Sequence, residues 1–125
     1  MTSGDSSKKG KASRDKGKRR ELEMVHLLNR FGFGKVRRGY VFHGEPDIVG
    51  LDGFHVEVKG VEKLNVLKAL NQSITDAEKR KDGIPTLWWK TSRQPWTVTL
   101  LAEDFIKLIG GIENDVNGDD QDTSG

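Results

Sequence analysis

One turn constrains the centre of this chain more than anything else in it. Asp52-Gly53 separates Ile48-Val49-Gly50-Leu51 from Phe54-His55-Val56-Glu57-Val58-Lys59, and the second run alternates apolar and polar at the period of a β-strand. Phe54, Val56 and Val58 therefore face a core, while His55, Glu57 and Lys59 share the opposite side. Which side Asp47 joins depends on the turn, because a slip of one residue moves every side chain across the sheet. A two-residue loop of Asp52-Gly53 would set Asp47 opposite Val58, among valines. A three-residue loop of Leu51-Asp52-Gly53, with Gly53 left-handed, pairs Gly50 with Phe54 and sets Asp47 opposite Glu57. The second form is expected, since the first would bury a carboxylate at a cost of roughly several kcal/mol or force its protonation.

Around this hairpin the chain reads as a mixed α/β (α+β) domain in the order α-β-β-β-α-β-β-α. A first helix is predicted over 16–30, ending near Gly32 and Gly34, with Glu21, Val25 and Leu28 on one stripe and Leu22 and Met24 flanking it. Glu21 thus lies on the buried edge and Glu23 on a more solvated side; the plain alternative makes both surface partners of Lys18, Arg19 or Arg20. A first strand is expected over 35–38, with a further strand candidate at 40–42, and His43-Gly44-Glu45 forms a loop into Pro46. A second helix over 65–81 places Leu67, Leu70, Ile74 and Ala77 at helical spacing. Strands over 84–90 and 96–101 follow, then a short helix over 102–109 that stops at Gly110-Gly111.

At 125 residues the chain supports one domain with its own core. It contains no cysteine, which excludes disulfides and thiolate metal sites, and no apolar run approaches the roughly 20 residues that cross a bilayer. Met1 to Lys9 lack the apolar stretch of a signal peptide, so a soluble, intracellular (cytoplasmic) protein is expected. The net charge of +2 averages three unlike regions. Residues 1–20 hold eight Lys/Arg against two Asp, and 113–125 hold five acids and no base. A flexible basic arm over 1–15, a folded domain over 16–112 and a disordered acidic tail over 113–125 are expected. The arm suits contact with phosphates or serves as a solubilising tail.

Asp47 opposite Glu57 is a donor set for a hard cation. Mg²⁺ takes oxygen ligands and keeps several waters, so two carboxylates and a phosphate oxygen suffice, and the Val58 carbonyl between the functional side chains completes the shell. Lys59 points to the same side and offsets negative charge growing on a phosphate. Arg37, Arg38, Tyr40 and His43 form a basic, aromatic-punctuated segment just before the site, suited to a nucleic-acid backbone or, more plainly, to an ordinary charged edge strand. His26, His43 and His55 are too scattered to argue for zinc. Of Trp88, Trp89 and Trp96, at least one belongs to the core.

With Glu21, Pro46-Asp47 and Glu57-Val58-Lys59 in view, the chain resembles the PD-(D/E)XK nucleases, and among them the Holliday-junction resolvases of the archaeal type and related phage enzymes. The stretch Lys16-Gly17-Lys18-Arg19-Arg20-Glu21, the helix end at Phe31-Gly32-Phe33, Pro46-Asp47-Ile48-Val49 and Val56-Glu57-Val58-Lys59 carry the likeness. It spans roughly residues 16 to 108. The resemblance implies a restriction-endonuclease-like core, Mg²⁺-dependent cleavage with Mn²⁺ as a substitute, and a homodimer that cuts branched DNA symmetrically in recombination or repair. By the same resemblance Asp47, Glu57 and the Val58 carbonyl hold metal. Lys59 is then the catalytic lysine, Glu21 a supporting carboxylate, and Gln72 the glutamine that several branches keep near the site. Lys16, Lys18, Arg19 and Arg20, with Arg37, Arg38, Tyr40 and His43, are the expected DNA contacts. Archaeal resolvases carry a serine in the loop before Pro-Asp; residues 37–45 contain none, which bears on junction specificity more than on cleavage. Two other readings stay open: a restriction, repair or mobile-element nuclease on the same core, and a catalytically silent DNA-binding module.

Overall fold

The computed structural model describes the backbone of residues 2–116 and the side chains of residues 10–111. Its elements follow the expected order: α1 (Thr2–Arg30), β1 (Arg37–Arg38), a 3₁₀ turn (Val41–His43), β2 (Ile48–Val49), β3 (Phe54–Lys59), α2 (Val66–Arg80), β4 (Ile84–Trp89), β5 (Thr97–Thr99) and α3 (Ala102–Val116). The five strands form one sheet in sequence order, antiparallel except where β3 runs parallel to β4. Crossing from β3 to a parallel neighbour needs a long connection, and α2 supplies it. Its start is capped by Asn65, whose side chain accepts the Lys68 N–H at 3.0 Å, and its end by Lys81 in the left-handed conformation.

The hairpin register is the one that sets Asp47 against Glu57. Ile48 faces Val56, which sets Asp47 against Glu57 and Pro46 against Val58. The loop is not the expected three-residue one: the chain turns over Leu51–Phe54, and Gly50 at φ 99° takes up the extra residue ahead of it. The Phe54 N–H donates to the Leu51 carbonyl at 3.2 Å, and Gly53 takes φ 87°, where any other residue would be strained.

Each face of the sheet has its own helix. Val56, Val58 and Ile48 pack with Met24, Val25 and Leu28 of α1, as the alternation of β3 and the first-helix stripe require. The other face is covered by α2 through Ala69, Leu70 and Leu87. On the side of β3 that carries the polar residues, His55 and Glu57 are buried beneath α2. The helix approaches through small residues, Ala69, Ser73 and Ala77, and Ser73 Oγ donates to the Thr86 carbonyl at 3.0 Å. Leu67, expected on the buried stripe, is exposed, because the row that meets the sheet is turned by about one position.

Three boundaries also differ from expectation. α1 begins at Thr2, so the segment predicted to be a flexible arm is helical. Lys, Arg and Ala are good helix formers, no proline interrupts them, and a helix anchored by Met24, Val25 and Leu28 extends at little further cost per residue. Residues 41–43, within a strand candidate, make a 3₁₀ turn closed by the Gly44 N–H on the Val41 carbonyl. Gly110-Gly111 do not stop α3, which runs to Val116; the rest of the expected acidic tail, 117–125, lies outside the described residues. Trp88 and Trp89 are half-buried on opposite faces and anchored by indole N–H bonds to Thr86 and Thr99, and Trp96 packs on the α1 core. No helix among the described residues is long and apolar enough to cross a membrane.

Candidate active site

Proline shapes the site before any acid does. In the β2–β3 ladder Val58 stands opposite Pro46, which has no N–H to donate back. The Val58 N–H goes to the Asp47 carboxylate at 2.9 Å and not to the Pro46 carbonyl, and the Val58 carbonyl receives no ladder donor from Pro46. The Pro-Asp pair thus ends the ladder and sets a carboxylate and a backbone carbonyl side by side.

Asp47 and Glu57 stand opposite each other, and their mutual repulsion in a buried site favours one shared proton between them. Burial is the main cause that pushes Asp47 up to about 7; the charges of Glu57 and Glu21 add to it, and the Val58 N–H works against it. Burial would raise Glu57 as well, but hydrogen bonds from His55 and Asp47, with the charges of His55 and Lys59, take it below its ordinary value. One carboxyl therefore holds the proton and the other the charge. A divalent cation can replace that proton, and the donor set, two carboxylates and an adjacent carbonyl, fits Mg²⁺.

A polar cavity of about 460 Å³ between β3 and α2 brings together Asp47, His55, Glu57, Lys59, Gln72 and Asp76. Gln72 is thus on the site side of α2. Lys79 and Arg80 stand at the rim, cationic positions that in the sequence look like no more than the solvated end of a helix. Glu21 does not line the cavity. Its carboxylate is held by the Arg38 Nε at 2.9 Å, not by Lys18, Arg19 or Arg20. His55 is fully buried; its Nδ1 meets both Asp82 oxygens at 3.0 and 2.9 Å and its Nε2 meets Glu57 at 3.2 Å. Burial disfavours the imidazolium, yet these two acidic partners outweigh it and raise the His55 pKa. Asp76 and Asp82 carry no separate signal in the sequence, because they reach His55 only through the fold.

The expected DNA contacts fall into two groups. Lys18 and Arg19 are exposed on α1, Lys16 is half-exposed, and Arg20 bonds Glu23 at 2.8 Å while its stem lies on Gly60, where a Cβ would collide with it. On the other side, Arg37 makes a two-pronged bond to Glu45, 3.1 Å on each prong, and lies 4.4 Å over the Tyr40 ring, which meets His43 edge-on. Glu45 also accepts the Tyr40 N–H at 2.8 Å, so it braces this loop at the mouth of the cavity. The braced turn presents Val41 and Phe42 almost wholly to solvent, two apolar positions that a strand over 40–42 would hide.

The fold is similar to that of a known protein. Hjc of Archaeoglobus fulgidus, a Holliday junction resolvase from an archaeal hyperthermophile, superposes with a TM-score of 0.51 over 68% of this chain and 72% of that one, at 26% sequence identity. The fold is that of a resolvase-like nuclease. Its mixed sheet flanked by helices agrees with a restriction-endonuclease-like core. No protein-family model matches the sequence. No curated protein matches it either.

Proposed function

We propose that this chain is a Mg²⁺-dependent, structure-specific DNA endonuclease that resolves four-way junctions, with residues 16–112 as its nuclease domain. The observation that carries the reading is the opposition of Asp47 and Glu57 across β2 and β3, with Lys59 in the same cavity, on a fold similar to that of a junction resolvase. Mg²⁺, or Mn²⁺ in its place, would polarise the scissile phosphate and acidify the attacking water. Asp47, Glu57 and the Val58 carbonyl would hold it. Lys59 offsets the charge that grows on the phosphate, and Gln72 orients the phosphate or the water from the α2 side. Glu21, clamped by Arg38, adds negative potential at Asp47 and so strengthens its hold on a cation.

DNA would be gripped by two groups of cations, one on α1 and one before β2. Lys16, Lys18, Arg19 and Arg20 line α1, and Arg37, Arg38, Tyr40 and His43 sit before β2, with Val41 and Phe42 between them. These are phosphate and shape contacts, with no element aimed at base edges. Resolution needs two cuts on opposed strands, so the active form is a homodimer that brings two such sites to one junction.

The test incubates purified protein with a synthetic four-way junction, a linear duplex and a flap, each with Mg²⁺ or with chelator. Paired symmetric cuts in the junction alone support the reading. Equal cutting of the duplex points to a restriction, repair or mobile-element nuclease, and cutting of nothing leaves a DNA-binding module.

A further inference from the structure

Glu57 has a second set of neighbours besides Asp47, a group of side chains that the cleavage reaction does not use. One potential ligand atom each from His55, Glu57 and Asp76 lies within 4.8 Å of the other two, bridging β3 and α2 inside the polar cavity. We infer that these three residues form a second cation position, selective for a divalent transition metal such as Zn²⁺ or Co²⁺ over Mg²⁺. The inference stands apart from the nuclease reading: it shares Glu57 but needs neither Asp47 nor cleavage.

The orientation of His55 is the first support. The ring is fully buried, and its Nδ1 faces both oxygens of Asp82, an acceptor-only partner, so Nδ1 carries a proton and Nε2 is turned toward Glu57 and Asp76. A carboxylate behind the histidine and a second nitrogen facing oxygen donors in front is the arrangement that orients metal-binding imidazoles. The second support is the Nε2 to Glu57 distance of 3.2 Å. A neutral imidazole nitrogen and a carboxylate oxygen are both acceptors, so something positive must lie between them, either a second proton on the ring or an ion. Ligand bonds of about 2.1 Å on each side would span that gap at an angle of roughly 100°, suited to tetrahedral or octahedral coordination. Asp76 supplies a third donor from α2. An imidazole donor favours zinc-like ions, whereas Mg²⁺ prefers oxygen alone, so the two cation positions differ in chemistry. An ion held here would tie β3 to α2 and fix Glu57 from the His55 side.

Calorimetric titration of Zn²⁺ into the full chain, with Mg²⁺ in excess to fill oxygen-only sites, reads this directly. One Zn²⁺ that Mg²⁺ does not displace is expected, and Asp47→Asn keeps it. Asp76→Asn, half-exposed on a helix and tolerable to the fold, should weaken it by more than about tenfold, and Asp82→Asn by about ten- to a hundredfold because the imidazole is no longer oriented. Proton NMR of the Co²⁺-loaded chain should show one far-shifted exchangeable imidazole N–H, absent in Asp76→Asn at matched concentration. Unchanged Zn²⁺ affinity in Asp76→Asn, or a Co²⁺ spectrum without that resonance, would overturn the assignment.

Discussion

Asp47 is held in two roles at once, as a ladder acceptor for the Val58 N–H and as the proton-bearing partner of Glu57. Asp47→Asn keeps the first and removes the repulsion in the second, so the metal-free variant should melt no lower than the parent. It should cleave a junction more than about a hundredfold more slowly, as should Glu57→Gln, while gel-shift affinity for the junction stays within a fewfold; equally weakened binding would show that these acids grip DNA. The pH dependence follows from the same pair. Asp47 titrates at about 7 when folded against an ordinary 3.8, so its proton favours the folded state fully below the lower value, and that contribution is lost as pH climbs through the higher one. Mg²⁺ competes for the same place, and its affinity should rise by about tenfold per unit as pH approaches 7 and level off above it. Calorimetry at about pH 5.5, 7 and 8 checks this, and a flat profile would mean that no proton is displaced.

Elements are legible in the sequence where one local rule decides them. The strand alternation of Phe54 to Lys59 and the Asp52-Gly53 turn make β3 legible, whereas its register with β2 rests on Gly50 at φ 99° and sets Asp47 against a carboxylate that is itself buried. The stripe of α1 is likewise legible, through Val25 and Leu28. What stays hidden depends on partners that a sequence does not reveal. The burial of the polar side of β3 is hidden because nothing local announces that α2 will descend on it through Ala69, Ser73 and Ala77. His55 is opaque for a similar reason, since its meaning comes from Asp76 and Asp82, more than 20 positions away. The start of α1 is obscured by glycine and serine among the helix formers, whereas in the chain an anchored helix extends through them. Its basic first half still has an expected role. Deleting residues 1–14 should weaken junction binding and reduce the salt dependence by about one logarithmic unit of slope for each phosphate no longer neutralised. Binding titrations between roughly 50 and 200 mM salt measure that slope, and no change would assign the segment to solubility.

The molecule as a whole has a polar end and an apolar end. The candidate site opens between β3 and α2, while beyond the sheet a cavity of about 590 Å³ lies between Leu28, Phe33, Phe54, Trp88, Phe105 and Leu108. Around it Phe31, Phe33, Val98, Phe105, Ile106 and Ile109 are exposed, a concentration that a monomer in water would not favour. If the active form is a homodimer, this end is where copies meet. Phe105→Glu with Ile109→Glu should then shift the mass seen by light scattering from two chains to one and abolish paired junction cuts, with single nicks remaining; an unchanged mass would move the interface elsewhere.

Pro46 gives the site its opening by omission. Proline at that position brings no amide hydrogen to the Val58 carbonyl, and the Val58 N–H is taken by a side chain, so the rung beyond Ile48–Val56 is not made. The imino acid therefore acts as a spacer between architecture and chemistry, deciding where hydrogen bonding between strands stops and where the chain is free to bind something else.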